Sequence, residues 1–203
     1  ILLDLYISKR IMNINRYDVI IIGGGYIGLA VAIFLGKIGL QVIIIEKDKI
    51  TSKKSINRDF RTTAISEGTK KILDFNGIWV KLKSKVQPIK KIKIFDRHIV
   101  NKIDFKNSIK HNFLGYIVEN KYLKEILIKE INSIKNILII QNSLIKDIEI
   151  NEDEVSVRTN TTNLNSSLLI AADGKNSFVR KKLKESIFFK QYNHSALVMN
   201  FVH

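Results

Sequence analysis

Apolar and polar positions fall into short blocks along this chain, and each block predicts an element. Val19 to Ile22 is a β-branched apolar run of the kind a strand buried on both faces needs. It runs into Gly23, Gly24 and Gly25, which predicts a tight turn. Ile27 to Ile38 is almost wholly apolar and helix-like, with Gly39 placed to end that helix in a left-handed conformation. Val42 to Ile45 is a second buried-strand run. Lys47 to Arg58 is polar, basic and without periodicity, so it reads as a loop. Ser66 is placed to cap a helix whose apolar face is Ile72, Leu73 and Phe75, and Asn76-Gly77 ends it.

The second half continues in shorter steps. Ile89 to Asp96, His98 to Phe105 and Phe113 to Val118 read as strands. Asn120 to Ile134 carries Leu123, Ile126, Leu127, Ile131 and Ile134 at helical spacing, a face expected to pack back on the first strand–helix–strand unit. Asn136 to Ile140, Leu144 to Ile150 and Glu154 to Thr159 predict three strands, the last two joined by an Asn151-Glu152-Asp153 turn. Leu168 to Ala171 reads as another buried strand, passing through Ala172-Asp173-Gly174 to a helix with Phe178, Val179 and Leu183. Tyr192 to Val202 reads as a closing strand.

The first block carries the clearest chemistry. Gly23, Gly25 and Gly28 fill G-x-G-x-x-G between a strand and a helix. The first glycine permits the turn, the second lets a pyrophosphate approach the backbone, and the third lets the helix press onto the strand. Glu46 ends the second strand, about 20 residues after the motif, where an acid meets adenosine ribose hydroxyls and favours a free 2′-hydroxyl. Strand, glycines, helix, strand and acid in that order predict a dinucleotide site. The rival is a membrane span, because Val19 to Gly36 is uncharged for 18 residues and Gly24 and Gly28 match G-x-x-x-G. Three adjacent glycines and an immediate return to a strand after Gly39 argue against it.

Composition narrows the classes. There is no cysteine, which excludes disulfides, thiolate zinc sites and a cysteine nucleophile and agrees with a cytoplasmic default. His98, His111, His194 and His203 have no paired spacing, so no metal site is expected. The formal net charge of +15 invites a nucleic-acid or anionic-membrane partner. The lysines are scattered among Ile and Asn, however, which reads as a solvated surface, and no nucleic acid is expected.

A second signature, Asp59 to Ser66, reads D-x-R-T-T-A-I-S. With Gly77-Ile78-Trp79, Pro88-Ile89, Gly115-Tyr116-Ile117-Val118-Glu119-Asn120 and Ala172-Asp173-Gly174 followed by Ser177 and Val179-Arg180, the chain resembles the flavin-dependent aromatic hydroxylases. Within them it is most similar to the ubiquinone-biosynthesis branch, which acts on polyprenylated phenols. The resemblance implies an α/β fold: a Rossmann-like FAD-binding domain with a partial β-rich substrate domain inserted, a truncated form of the aromatic-hydroxylase fold. Residues 1–16 are then a lead-in, 17–85 and 119–183 the two parts of the FAD-binding domain, 86–118 partial substrate-domain strands, and 184–203 the start of a truncated substrate sheet.

The resemblance also implies FAD at Gly23, Gly25, Gly28 and Glu46, with Arg61 against its pyrophosphate, where a guanidinium fork meets two oxygens at once. Asp173 and Gly174 would touch FAD and the region that NAD(P)H approaches. Each has an ordinary reading too, Arg61 as a surface cation near a helix start and Asp173-Gly174 as a turn. The implied activity is hydroxylation of a polyprenyl phenol with NAD(P)H and O2, in the cytoplasm or peripherally at the inner membrane, alongside other ubiquinone-pathway proteins. No catalytic side chain is assigned, since the cofactor carries the chemistry. The family continues past His203, so the alternative expectation is a catalytically incompetent FAD-binding fragment with a separate C-terminal half.

Overall fold

The computed structural model describes residues 16–50, 59, 61–96, 99–106 and 113–195. In chain order the elements are β1 (Arg16–Ile22), α1 (Tyr26–Lys37), β2 (Val42–Ile45), β3 (Thr62–Ser66), α2 (Glu67–Phe75) and α3 (Trp79–Leu82). A 3₁₀ turn at Lys83–Lys85 leads to β4 (Val86–Ile89), β5 (Lys91–Asp96), β6 (Ile99–Lys106) and β7 (Gly115–Glu119). Then come α4 (Asn120–Asn132), β8 (Ile137–Ile140), β9 (Ile145–Ile150), β10 (Val155–Thr159), β11 (Asn163–Ala171) and α5 (Phe178–Lys182). The described residues divide into two compact units, 16–50 with Ile128–Ser195, and 59–127.

The first unit is a six-stranded sheet in the order β8-β2-β1-β11-β10-β9. The first four strands are mutually parallel and the last three form an antiparallel run. Ile20, Ile22, Ile43 and Ile45 join Ile148, Val157, Leu164 and Val179 in one core on one face of the sheet. On the other face Ile21 reaches toward Gly28 of α1, whose Leu29, Ala32 and Ile33 are fully buried. Burial on both faces is why β1 and β2 read as unbroken β-branched runs. Gly39, at φ 96°, closes α1 as its position predicts. The uncharged run from Val19 is therefore part strand and part a 12-residue helix, and no described helix is long and apolar enough to cross a membrane.

In the second unit β3, β7 and β4 form an antiparallel sheet and β5 pairs with β6. Pro88 lies in β4, at the sheet edge, where a missing amide is tolerated. Gly115 faces Ile65 so closely that a Cβ would stand 2.6 Å from the Ile65 carbonyl oxygen. The neighbouring Tyr116 packs edge-on against Trp79 at 4.7 Å between ring centres, so two of the blocks that carry the resemblance meet in this core.

Three expectations need correction. Ser66 caps α2 through a 3.1 Å bond accepted from the Thr69 amide, but of the expected apolar face only Leu73 is buried. Ile72 and Phe75 are exposed, and Lys70 and Asn76 turn inward instead. Both polar groups are satisfied there: the Lys70 ammonium donates to the Tyr116 hydroxyl at 3.1 Å, and the Asn76 amide donates to the Ile72 carbonyl at 2.8 Å. Next, β11 begins five residues before Leu168, and Leu168 is half exposed, because α1 packs over β1, β2 and β8 and leaves that part of β11 uncovered. Finally, Tyr192 to Ser195 form no strand, and residues 196–203 of the expected closing strand lie outside the described residues.

Candidate functional site

Register brings the site together. Ile22 of β1 lies level with Ile45 of β2 on one side and Ala171 of β11 on the other. The Gly23 amide donates to the Ile45 carbonyl at 2.8 Å and the Ala172 amide to the Ile22 carbonyl at 2.7 Å. Gly23, Glu46 and Ala172 thus leave the sheet at one level, at the carboxyl ends of parallel strands. The chain passes from β1 through α1 to one side while β11 flanks the other, and such a crevice is where open α/β sheets bind ligands.

The three motif glycines have different surroundings. Gly23 sits at φ 105°, and a Cβ on it would collide with the Ala172 carbonyl oxygen. A Cβ on Gly28 would collide with the Gly23 carbonyl oxygen, so the helix can approach the turn only without a side chain. Gly25 has nothing within 4 Å of where a Cβ would stand, so the backbone there faces open space. Gly25 is also the N-cap of α1, which has no side-chain cap and no acid in its first turn. An uncapped helix start directs amides and a partial positive charge outward, a setting for an anion such as a pyrophosphate.

Glu46 is committed to the turn. One carboxylate oxygen accepts from the Gly24 amide at 2.6 Å and the other from the Asp48 amide at 3.0 Å. Each oxygen keeps a further lone pair, so these bonds leave the carboxylate able to accept from ligand hydroxyls. Opposite, Asp173 accepts from the Phe178 amide at 2.6 Å and the Val179 amide at 3.3 Å, which holds the start of α5, while Gly174 adopts φ 78°. Gly23, Gly25, Glu46, Asp173 and Gly174 line one cavity of about 430 Å³, within the range of small-molecule sites. Ser143, Leu144, Asn176 and Phe178 line it too and carried no signal in the sequence. Ser143 arrives because its amide donates to the Glu46 carbonyl at 3.0 Å, a contact between segments far apart in the chain.

Arg61 belongs to the second unit, where Asp59 grips it in a two-point contact, Nε and Nη2 each 2.8 Å from a carboxylate oxygen. Chiefly through that hydrogen bond, Arg61 holds the Asp59 carboxyl down at about 2. Asn120, which sequence reasoning had not singled out alone, steadies the segment: its amide donates to the Arg61 carbonyl at 2.9 Å, and its side chain accepts from the Thr63 hydroxyl at 2.6 Å. Among the described residues no three His, Asp or Glu side chains gather as a metal site would require.

Known proteins are similar to this chain in sequence and in fold. The sequence family described as FAD binding domain matches residues 16–202. The chain is 29% identical to the mitochondrial ubiquinone biosynthesis monooxygenase of Dictyostelium discoideum, over 94% of this chain and 44% of that protein. It is 25% identical to the 3-demethoxyubiquinol 3-hydroxylase of Escherichia coli, over 90% of this chain and 48% of that protein. It therefore spans under half the length of these curated relatives. The fold matches the crystal structure of p-nitrophenol 4-monooxygenase from Pseudomonas putida with a TM-score of 0.67 at 20% identity, covering 83% of this chain and 44% of that one.

Proposed function

This chain belongs to the FAD binding domain family, and from that premise we propose that it contributes the FAD site of a monooxygenase that hydroxylates a polyprenylated phenol in ubiquinone biosynthesis. NAD(P)H and O2 are the proposed co-substrates. The observation that carries the FAD reading is the open space at Gly25 beside the uncapped start of α1, on the rim of a cavity that also presents Glu46 and Asp173. The residues present fit the cofactor. The α1 amides and the bare Gly25 backbone would receive its pyrophosphate, and the Glu46 carboxylate would accept from its adenosine ribose. Asp173 and Gly174 bound the far side of the cavity, and for Arg61 the resemblance alone implies that it would supply a further cation to the pyrophosphate. Bound FAD would supply the redox chemistry, while the protein binds, orients and excludes water.

The substrate class is supported by relatives whose names place them in ubiquinone biosynthesis. A substrate of that class is a membrane lipid, so a cytoplasmic protein acting peripherally at the inner membrane, beside other enzymes of the pathway, fits it best. The chain spans under half the length of these relatives, and a second reading is that these 203 residues bind FAD without hydroxylating a substrate by themselves.

Purification of the 203 residues should yield a yellow protein, or one that becomes yellow on addition of FAD, with a flavin absorption band. Oxygen-dependent NAD(P)H oxidation with a phenolic substrate is then assayed before and after adding the C-terminal half of a related hydroxylase. Absence of any flavin binding would end the reading. Coupled hydroxylation by the 203 residues alone would end the second reading.

A further inference from the structure

α5 walls the cavity with Phe178, and it is only five residues long. A helix of that length does not hold itself together in water, so contacts with its neighbours decide where it sits. At its start Asp173 accepts from the Phe178 and Val179 amides, and Val179 packs with Ile148 in the core. At its end the Lys182 ammonium lies 2.5 Å from the Asp147 carboxylate of β9. Asp147 stands two residues along the strand from Ile145, which also lines the cavity, so this ion pair joins two elements that wall it. The other Asp147 oxygen meets Arg158 Nη2 at 3.3 Å across the β9–β10 pairing, and the Ile148 amide donates to the carboxylate at 2.9 Å. Held by its own strand and by β10, the carboxylate is a fixed acceptor against which α5 can dock. The Lys182 hydrogen bond, above all, holds the Asp147 carboxyl below its usual value, so it is charged at neutral pH.

We propose that Asp147 is a positioning residue for the cavity: through Lys182 it latches the end of α5 to β9, and so keeps Phe178 and the Asp173 turn in the arrangement that, on the FAD reading of this cavity, receives the cofactor. An isolated exposed ion pair contributes little to the stability of a whole domain. For a helix too short to stay docked by itself, the same small free energy changes the fraction of molecules with the wall in place, and apparent affinity falls with that fraction. A long-range charge effect predicts a different pattern. Removing Asp147 would then strengthen the attraction for an anionic pyrophosphate and removing Lys182 would weaken it, whereas a latch predicts weaker binding in both.

The test is FAD titration, by flavin fluorescence, of the 203-residue chain and its variants at a temperature where thermal unfolding shows each to be folded. Asp147→Ala and Lys182→Met should each raise the Kd by about two- to fivefold, and the double variant should be no weaker than the worse of the two. Lys182→Arg, which keeps the charged donor, should bind like the parent. Arg158→Met, the same charge loss at the same carboxylate but on β10, should have a smaller effect. Hydrogen exchange without FAD gives a second readout: the Phe178 and Val179 amides should exchange faster in Asp147→Ala and in Lys182→Met. Tighter or unchanged FAD binding in Asp147→Ala, no recovery in Lys182→Arg, an equal loss in Arg158→Met, or parental exchange at both amides would each overturn the latch. A parent chain that binds no FAD, while the two amides still respond, would remove the FAD reading and leave the latch on α5 standing.

Discussion

The Glu46 carboxylate accepts a 2.6 Å hydrogen bond from the Gly24 amide, so the acid that ends β2 also fixes the turn that ends β1. A hydrogen bond to a charged group contributes about 1.5–3 kcal/mol. Glu46→Ala should therefore weaken FAD binding about tenfold or more and lower the urea midpoint, while Glu46→Gln, which keeps an acceptor oxygen, should fall between. Flavin fluorescence titration and urea unfolding read both effects. An alanine variant that binds FAD as tightly as the parent would show the contact to be incidental.

Gly25 and Gly28 should fail in different ways. Gly25 faces open space, so Gly25→Val is expected to fold normally and lose FAD, since the new side chain stands where the pyrophosphate is proposed to lie. Gly28→Ala instead drives a Cβ against the Gly23 carbonyl and should cost about 1–3 kcal/mol of stability. Thermal unfolding and flavin content, measured on both variants, separate the roles; unchanged flavin in Gly25→Val would remove Gly25 from the site.

Asp173 holds the first amides of α5, and Val179 on that helix is buried in the core of the first unit. Asp173→Ala should cost about 0.5–2 kcal/mol, the usual effect of losing a helix-start acceptor. Hydrogen exchange at the Phe178 and Val179 amides should rise in the variant. Protection equal to the parent's would mean that Ser177, which accepts from the Arg180 amide at 3.0 Å, is sufficient by itself.

Asp59 makes a pH prediction. Its carboxyl is lowered from 3.8 to about 2, chiefly by the Arg61 hydrogen bond. A depressed carboxylate stabilises the folded state above its unfolded value, and that stability is lost as pH falls through the folded value. The stability gap between the parent and Asp59→Asn should thus be constant above about pH 4 and close toward pH 2. It should be under about 1 kcal/mol, because Arg61 is largely exposed and solvent screens the pair. A gap that persists unchanged to pH 2 would place its origin elsewhere.

What the amino-acid sequence determined by itself was local. β1, α1 and β2 were legible because burial on both faces demands apolar runs and because Gly28 answers a constraint only five residues away, at the Gly23 carbonyl. The caps at Ser66, Gly39 and Gly77 were legible for the same reason. Tertiary structure alone decided three things. It set β11 beside β1, a parallel pairing across about 150 residues that puts Asp173 level with the glycine turn, and no local pattern encodes such a register. It brought Ser143 and Phe178 to the cavity through contacts distant in sequence. It turned α2 so that Lys70 and Asn76 face inward and Ile72 and Phe75 outward, against the helix's own apolar pattern. The polar partners that make that orientation favourable, Tyr116 above all, come from another strand.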